Sequence, residues 1–316
     1  MCVTMTQVRQ IFHGATYFLT RRVLRDKLLR PDPEVTALIL YSLAIASNLY
    51  EVQIHAFCAM PSHIQLVASD PNRKLPHFLR CFHHLVAMGL KRLRNLKGVV
   101  WDNARTGVLR LLTLTAIYEK IVYTLANPVV MGAVSRADKW SGAKSLVADL
   151  GTSHWHVSRP KFYFRSNRPK WPATQNLPIH LPPGVTDVDA FRQQIASQLG
   201  KIEKEYRKRT KHRKRRKPKT VLHSRHILGT GKNTKMFENS SFAAGNGHQD
   251  VFEAELAAMK AFRASYRNAL AKWQTGDRNA TFPRGTWWMS EFHNAKTETH
   301  EKTILEKQGH QSSITP

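Results

Sequence analysis

Cysteine is scarce in this chain. The three present, Cys2, Cys58 and Cys81, form no CxxC pair and cannot build a disulfide framework, which points to a reduced, intracellular protein. Long apolar runs are scarce as well. Val35 to Tyr50 is uncharged, yet it carries Thr36, Ser42, Ser47 and Asn48 and falls short of the roughly 20 apolar residues that a spanning helix needs. The N-terminus lacks the basic, apolar and small-residue order of a secretory signal. These absences predict a soluble chain with no membrane span.

Carboxylates are the third shortage. Against 49 Lys+Arg stand 22 Asp+Glu in 316 residues, a net charge of +27 with an isoelectric point near 10.4. A field of that sign gathers phosphates, so the expected partner is a polyanion: DNA, RNA or, least well supported, anionic lipid. Hydrophobic residues make up 42%, enough for a packed core, so disorder over the whole chain is excluded.

Between about Phe12 and Val134, extended and helical patterns alternate. Ala15 to Val23 is β-branched and aromatic and predicts a strand. Asp32-Pro33-Glu34 then opens a helix that runs to about Tyr50. Val52 to Cys58 and His63 to Ala68 flank Met60-Pro61-Ser62 as a hairpin. Leu75 to Lys97 is helical and basic, Gly107 to Thr113 a strand, and Thr115 to Ala126 a helix stopped by Asn127-Pro128. An antiparallel or mixed sheet with flanking helices is expected, an α+β fold. Past Trp140 the composition turns to proline and aromatics, then to a helix that flows into a basic run. Between Lys201 and Lys219, 12 of 19 residues are Lys or Arg. The expected divisions are 8–150, a basic extension over 151–223, a flexible linker over 224–250, a helical tail over 251–295 and a disordered end over 296–316. No internal repeat is visible.

Two patterns carry chemistry. Side chains alternate along a strand, so His63, Gln65 and Val67 share one face while Ile64, Leu66 and Ala68 line the core. An imidazole beside a carboxamide suits Mg²⁺ or Mn²⁺ better than a closed zinc site; a lone strand histidine is also a common structural residue. On the following helix, Leu114, Ile117, Tyr118, Ile121, Val122 and Leu125 form one apolar stripe. Tyr123 falls opposite that stripe, with Asn127 one turn further along the same side. Tyr123 is then either an exposed aromatic or a phenol held towards a site, with the Asn127 oxygen beside it.

IHAFCAMPSHIQLV at Ile54 to Val67, followed by IVYTLANPVVMGAV at Ile121 to Val134, resembles the REP-associated tyrosine transposases. These belong to the HUH superfamily of single-strand DNA nucleases. The family pattern is a strand reading MxNHxHLL and a helix reading YxxxNPVxxGLV. The similarity spans about Gln10 to Leu150, and Ala261 to Asn294 is similar to the tail of one long-chain branch. The resemblance implies a ferredoxin-like antiparallel sheet with flanking helices, Tyr123 as nucleophile, His63, Gln65 and Asn127 as metal ligands, and Mg²⁺ or Mn²⁺ as cofactor. It implies cleavage and rejoining of single-stranded or hairpin DNA through a 5′-phosphotyrosine, in a bacterial, cytoplasmic, nucleoid-associated monomer or homodimer. The chain departs from the pattern at Gln65, where the family has a second histidine, and at Ser62, where it has asparagine. The alternative is a catalytically impaired, domesticated protein that grips hairpin DNA, or RNA, without cutting it.

Arg213, Lys214, Arg215, Arg216 and Lys217 in the basic run are expected to contact phosphates, as are Arg21, Arg22, Arg92 and Arg94 within the nuclease domain. Phe162, Tyr163, Phe164, Arg165 and Trp171 form either a small core or a base-stacking surface. Cys81-Phe-His83-His84 and His154-Trp-His156 lack complete ligand spacing. Trp287 and Trp288 are expected to pack the tail.

Overall fold

The computed structural model describes residues 8–25, 28–210 and 241–298. It divides into two compact units, His13–Gln249 and a second that joins Met1–Phe12 to Asp250–Pro316.

The larger unit begins with β1 (Ala15–Arg22), α1 (Pro33–Tyr50), β2 (Gln53–Met60), β3 (His63–Asp70), α2 (Leu75–Arg94) and β4 (Gly107–Leu111). Each boundary has a local cause. Asp32 accepts a hydrogen bond from the Val35 N–H at 2.8 Å and Pro33 occupies the first turn of α1. The helix ends where Glu51 turns left-handed, φ 56°. The β2–β3 hairpin closes through Pro61-Ser62, with Met60 paired to His63. Neighbouring strands in the order β2-β3-β1-β4 are antiparallel, the arrangement of a split βαβ, ferredoxin-like sheet.

A fifth strand makes the sheet mixed, one of the two arrangements that the sequence pattern allowed. Phe242–Ala243 forms a short β7 that runs parallel to β4 at the sheet edge. The linker expected over 224–250 is therefore ordered where it is described. Gly245, φ 82°, makes this possible: a Cβ there would lie 2.7 Å from the Ala116 nitrogen. Residues 224–240 lie outside the described residues.

Helices cover both faces. Arg21 and its same-face neighbours look towards α2, with α1 packed on α2; Gly89 leaves the space that the Leu38 side chain fills between them. The other face carries α3 (Leu114–Val130), and α4 (Val188–Thr210) packs outside α3 through Phe191, Ile195 and Leu199. Residues 151–210 thus belong to the same compact unit as 13–150. Within them, β5 (His156–Ser158) and β6 (Thr174–Asn176) pair as a small hairpin beside α1. Among the described residues no helix is long and apolar enough to cross a membrane.

α3 corrects the sequence reading twice. It does not stop at Ala126 but continues through Pro128 to Val130. Proline removes one helical N–H bond; burial of Leu125, Ala126, Asn127, Pro128 and Val129 outweighs that loss, as tertiary packing commonly does for helices. Leu114, counted in the apolar stripe, is exposed, whereas Ile117, Ile121, Val122 and Leu125 are buried as expected.

In the second unit, α5 (Gln249–Gln274) and α6 (Trp288–His293) enclose a core of Phe262, Tyr266, Ala269, Phe282, Met289 and Ala295. Trp287 is buried there but Trp288 is exposed, so only the first packs as expected. Lys296 and Glu298 exchange backbone hydrogen bonds with Phe282 at 2.8 and 3.0 Å, so the expected disorder does not begin at 296.

At the end of the sheet remote from His63, a buried polar chain ties three strands together. The His180 carbonyl can only accept, so His55 Nδ1 donates to it (3.0 Å) and His55 Nε2 accepts from the Ser69 hydroxyl (2.7 Å). Ser69 Oγ in turn accepts from Thr16 at 2.7 Å. Beside this chain, the fully buried Asp70 caps α2 from a distance, accepting from the Lys74 and Leu75 N–H groups at 2.8 and 2.7 Å. Burial raises the Asp70 carboxyl above its ordinary range, opposed by those backbone donors. Asp70→Ala orphans these donors and is expected to lower unfolding stability by about 1–3 kcal/mol in urea titrations; unchanged stability would show that α2 starts without this cap.

Candidate active site

The site forms where β3 begins and α3 ends its third turn. β3 starts at His63 immediately after the Pro61-Ser62 turn, which fixes the imidazole at the mouth of the hairpin, opposite Arg22 on β1 and Met60 on β2. His63 Nε2 lies 3.0 Å from Asn127 Nδ2, and its Nδ1 lies 3.1 Å from Ser62 Oγ. With the Asn127 amide N–H as donor, Nε2 is the unprotonated nitrogen and Nδ1 carries the hydrogen. Turning the amide over places Oδ1 there instead, an orientation set by the hydrogen-bond network rather than by the carbon skeleton. Burial, and then the nearby Arg22 charge, lowers the His63 pKa to about 4, so the ring is neutral at pH 7.

Gln65, two residues on and on the same face, is buried at 3% exposure, and its Oε1 is buried with no hydrogen-bond partner. A buried acceptor without a donor costs free energy. With the Asn127 amide turned over, the His63 nitrogen and the Gln65 and Asn127 oxygens would offer a neutral N/O/O donor set on one face of the sheet. That set fits a hard divalent cation whose remaining positions are filled by anionic phosphate oxygens or water. Among the described residues no three His, Cys, Asp or Glu side chains gather into a metal-binding group, so any cation here depends on the two amides. Cys58, paired with Gln65 across β2, is no ligand candidate, because complete burial pushes its thiol up to about 12.

Tyr123 stands one turn before Asn127 on α3 and is 46% exposed. Its ring meets Phe18 of β1 edge-on, centroids 5.9 Å apart at 80°. Phe18 pairs with Val67, which shares the face of His63 and Gln65, so the phenol and the imidazole lie on the same side of the sheet. Lys120 Nζ lies 5.3 Å from the Phe18 centroid and 5.4 Å from that of Tyr123, and burial lowers its pKa against the pull of Glu119. Tyr118 points elsewhere: its hydroxyl donates to the Gln194 carbonyl on α4.

The arginines divide. Arg22 is exposed on the site face, beside His63. Arg21 is not on that face, a correction that follows from strand alternation. Its guanidinium bonds the Ala104 carbonyl and lies 5.7 Å from the Trp101 ring, and burial lowers its pKa against Asp102. Arg92 and Arg94 belong to α2, behind the sheet; Arg92 is exposed and Arg94 pairs with Asp32 at the start of α1. Neither arginine is near the His63 side. Arg213, Lys214, Arg215, Arg216 and Lys217 lie outside the described residues. The sequence reading missed Lys120, Phe18 and the Ser62 contact. Lys120 was accessible from its i−3 spacing to Tyr123; Phe18 required the β1–β3 register.

No family model and no curated protein matches the chain. Among solved structures it is similar to a REP-associated tyrosine transposase bound to a REP hairpin, with 17% identity and a TM-score of 0.39, over 46% of this chain and 85% of that one. A proposed transposase from Deinococcus radiodurans R1 is 20% identical with a TM-score of 0.26, over 33% of this chain and 85% of that one.

The depressed His63 pKa lies below the ordinary value of 6.5, so the unfolded chain binds the extra proton first as pH falls. Stability is therefore expected to drop between about pH 6.5 and 4, and the His63 ring resonances to titrate near 4 in NMR. A midpoint near 6.5 would contradict the buried, neutral imidazole.

Proposed function

We propose that this chain is a transposase-like, single-strand DNA endonuclease and strand transferase that acts at hairpin sequences through Tyr123. The observation that carries the proposal is the closure of Asn127 onto His63, with the unpartnered Gln65 oxygen on the same face of the sheet and Tyr123 one turn away on the same helix. In this reading the exposed Tyr123 oxygen attacks a backbone phosphorus in line. A P–Oη bond forms and the P–O3′ bond breaks; the phenolic proton leaves to solvent and the departing 3′ oxygen gains one. The products are a 5′-phosphotyrosine and a 3′-hydroxyl, and the retained ester energy permits rejoining without ATP. His63, Gln65 and Asn127 would hold Mg²⁺ or Mn²⁺, which supplies polarisation of the scissile phosphate and offsets charge on its oxygens. Neutral His63 keeps a lone pair for this role at pH 7. The edge contact with Phe18 and the nearby Lys120 hold the phenol ring in place.

The second reading, a hairpin-DNA or RNA binder that does not cut, is favoured by one feature. The donor set has neither a carboxylate nor a second histidine, so its intrinsic cation affinity is low. Denaturing gels of the protein with Mn²⁺ and a hairpin-tailed single strand separate the two. The wild type and Tyr118→Phe are expected to form a covalent adduct and Tyr123→Phe none. Equal adduct from Tyr123→Phe would overturn the nucleophile; no adduct from any form, with hairpin binding intact, would select the binder.

A further inference from the structure

Behind the sheet, on the side of α1 and α2, lies a cavity of about 520 Å³ that the proposed cleavage does not use. That volume is within the usual range for small-ligand sites. Arg159, Lys161 and Arg165 line it, with Tyr163 and Phe164 as its aromatic wall.

The wall is rigid. Phe164 is 4% exposed and is met edge-on by Tyr41 of α1, Tyr163 and Trp171, with centroids 4.8, 4.9 and 5.1 Å away. The Tyr41 hydroxyl donates to the Pro172 carbonyl at 2.6 Å and pins the loop to α1. At its tip the Phe164 N–H donates to the Phe162 carbonyl at 2.7 Å while Tyr163 takes φ 65°. A hydrogen bond spanning three residues around a positive φ is the γ-turn form that is rare and strained outside glycine. A tyrosine at this position costs backbone free energy that a glycine would not, and such outliers gather at binding sites. Here the turn sets the Tyr163 ring into the cavity wall.

The charge is one-sided. From position 150 to 186 the sequence contains no Asp or Glu, and none of Arg159, Lys161 and Arg165 pairs with a carboxylate among the described residues. Arg159 is fixed by its bond to the Trp171 carbonyl, while Lys161 and Arg165 are exposed at the rim. Lys170 lies 4.9 Å from the Trp171 ring and adds to the field. A simple anion would need the cations but not the aromatic wall; an apolar ligand would need the wall but not the cations. A planar base joined to a phosphate uses both.

We infer that this cavity is a nucleotide-binding site, separate from the Tyr123 face, in which a base stacks on Tyr163 and its phosphate is met by Arg159, Lys161 and Arg165. The nucleotide is either free in solution or one unpaired unit of a single strand. The full-length protein tests this with two probes: calorimetry with AMP, and ultraviolet cross-linking of a short 5-iododeoxyuridine oligonucleotide mapped by mass spectrometry. AMP binding assigns a free nucleotide; a cross-link within 159–171 without AMP binding assigns a strand. In either case Tyr163→Asn, which tolerates the positive φ, is expected to weaken the signal about fivefold or more, and Lys161→Glu with Arg165→Glu to abolish it. Thermal melts of these variants report folding, and both rim cations are exposed. Binding of ribose 5-phosphate or inorganic phosphate as tight as that of AMP overturns the inference. So does a charge-reversed variant that behaves as wild type, or the absence of both AMP binding and the cross-link. Tyr123→Phe is expected to keep the signal, so failure here leaves the phosphotyrosine test untouched.

Discussion

The contact between the His63 imidazole and the Asn127 amide joins the first residue of a strand to the fourth turn of a helix, and the candidate chemistry depends on it. The contact exists because α3 does not end at the proline. If the helix stopped at Ala126, as Asn127-Pro128 alone would dictate, the amide would belong to a loop with no fixed direction. Continued burial through Val129 holds it over the sheet. The same helix then fixes Tyr123, because a side chain four residues earlier stands one turn away on the same side.

The electrostatics of the site are those of neutral groups in a basic protein. Burial keeps His63 uncharged, and Asn127 and Gln65 carry no charge; the cations around them include Arg22 beside His63, Lys120 beside the Tyr123 ring and the buried Lys144 beside Cys58. The donor set itself contributes no carboxylate that would oppose a phosphate. The Gln65 oxygen is one of four buried polar side-chain atoms without a partner among the described residues, with those of Arg21, Ser42 and Asn176, whereas at the other end of the sheet His55, Ser69 and Thr16 complete one another's hydrogen bonds.

Alternation and spacing made much of this legible. Period-2 patterning put His63 and Gln65 on one face, and the helical period set Tyr123 apart from the buried stripe; both features were local. What was not legible depended on tertiary contact. Pro128 reads as a helix stop until the sheet beneath it is known, and Phe242–Ala243 reads as linker until an open strand edge receives it. Arg21 and Arg22 look equivalent as composition, but one stacks on Trp101 behind the sheet and the other stands at the site. The Phe162 to Trp171 cluster was read as either a core or a stacking surface. Phe164 is buried as the core reading has it, while Tyr163 lines a cavity together with Arg159, Lys161 and Arg165.

The central claim, that His63, Gln65 and Asn127 form one cation site, is tested most directly by diffraction from crystals soaked in Mn²⁺. The account predicts an anomalous peak about 2.0–2.3 Å from His63 Nε2, from the Gln65 carbonyl oxygen and from an Asn127 amide turned to present its oxygen. A peak placed elsewhere, or an Asn127 nitrogen still bonded to His63 at saturating Mn²⁺, would contradict it.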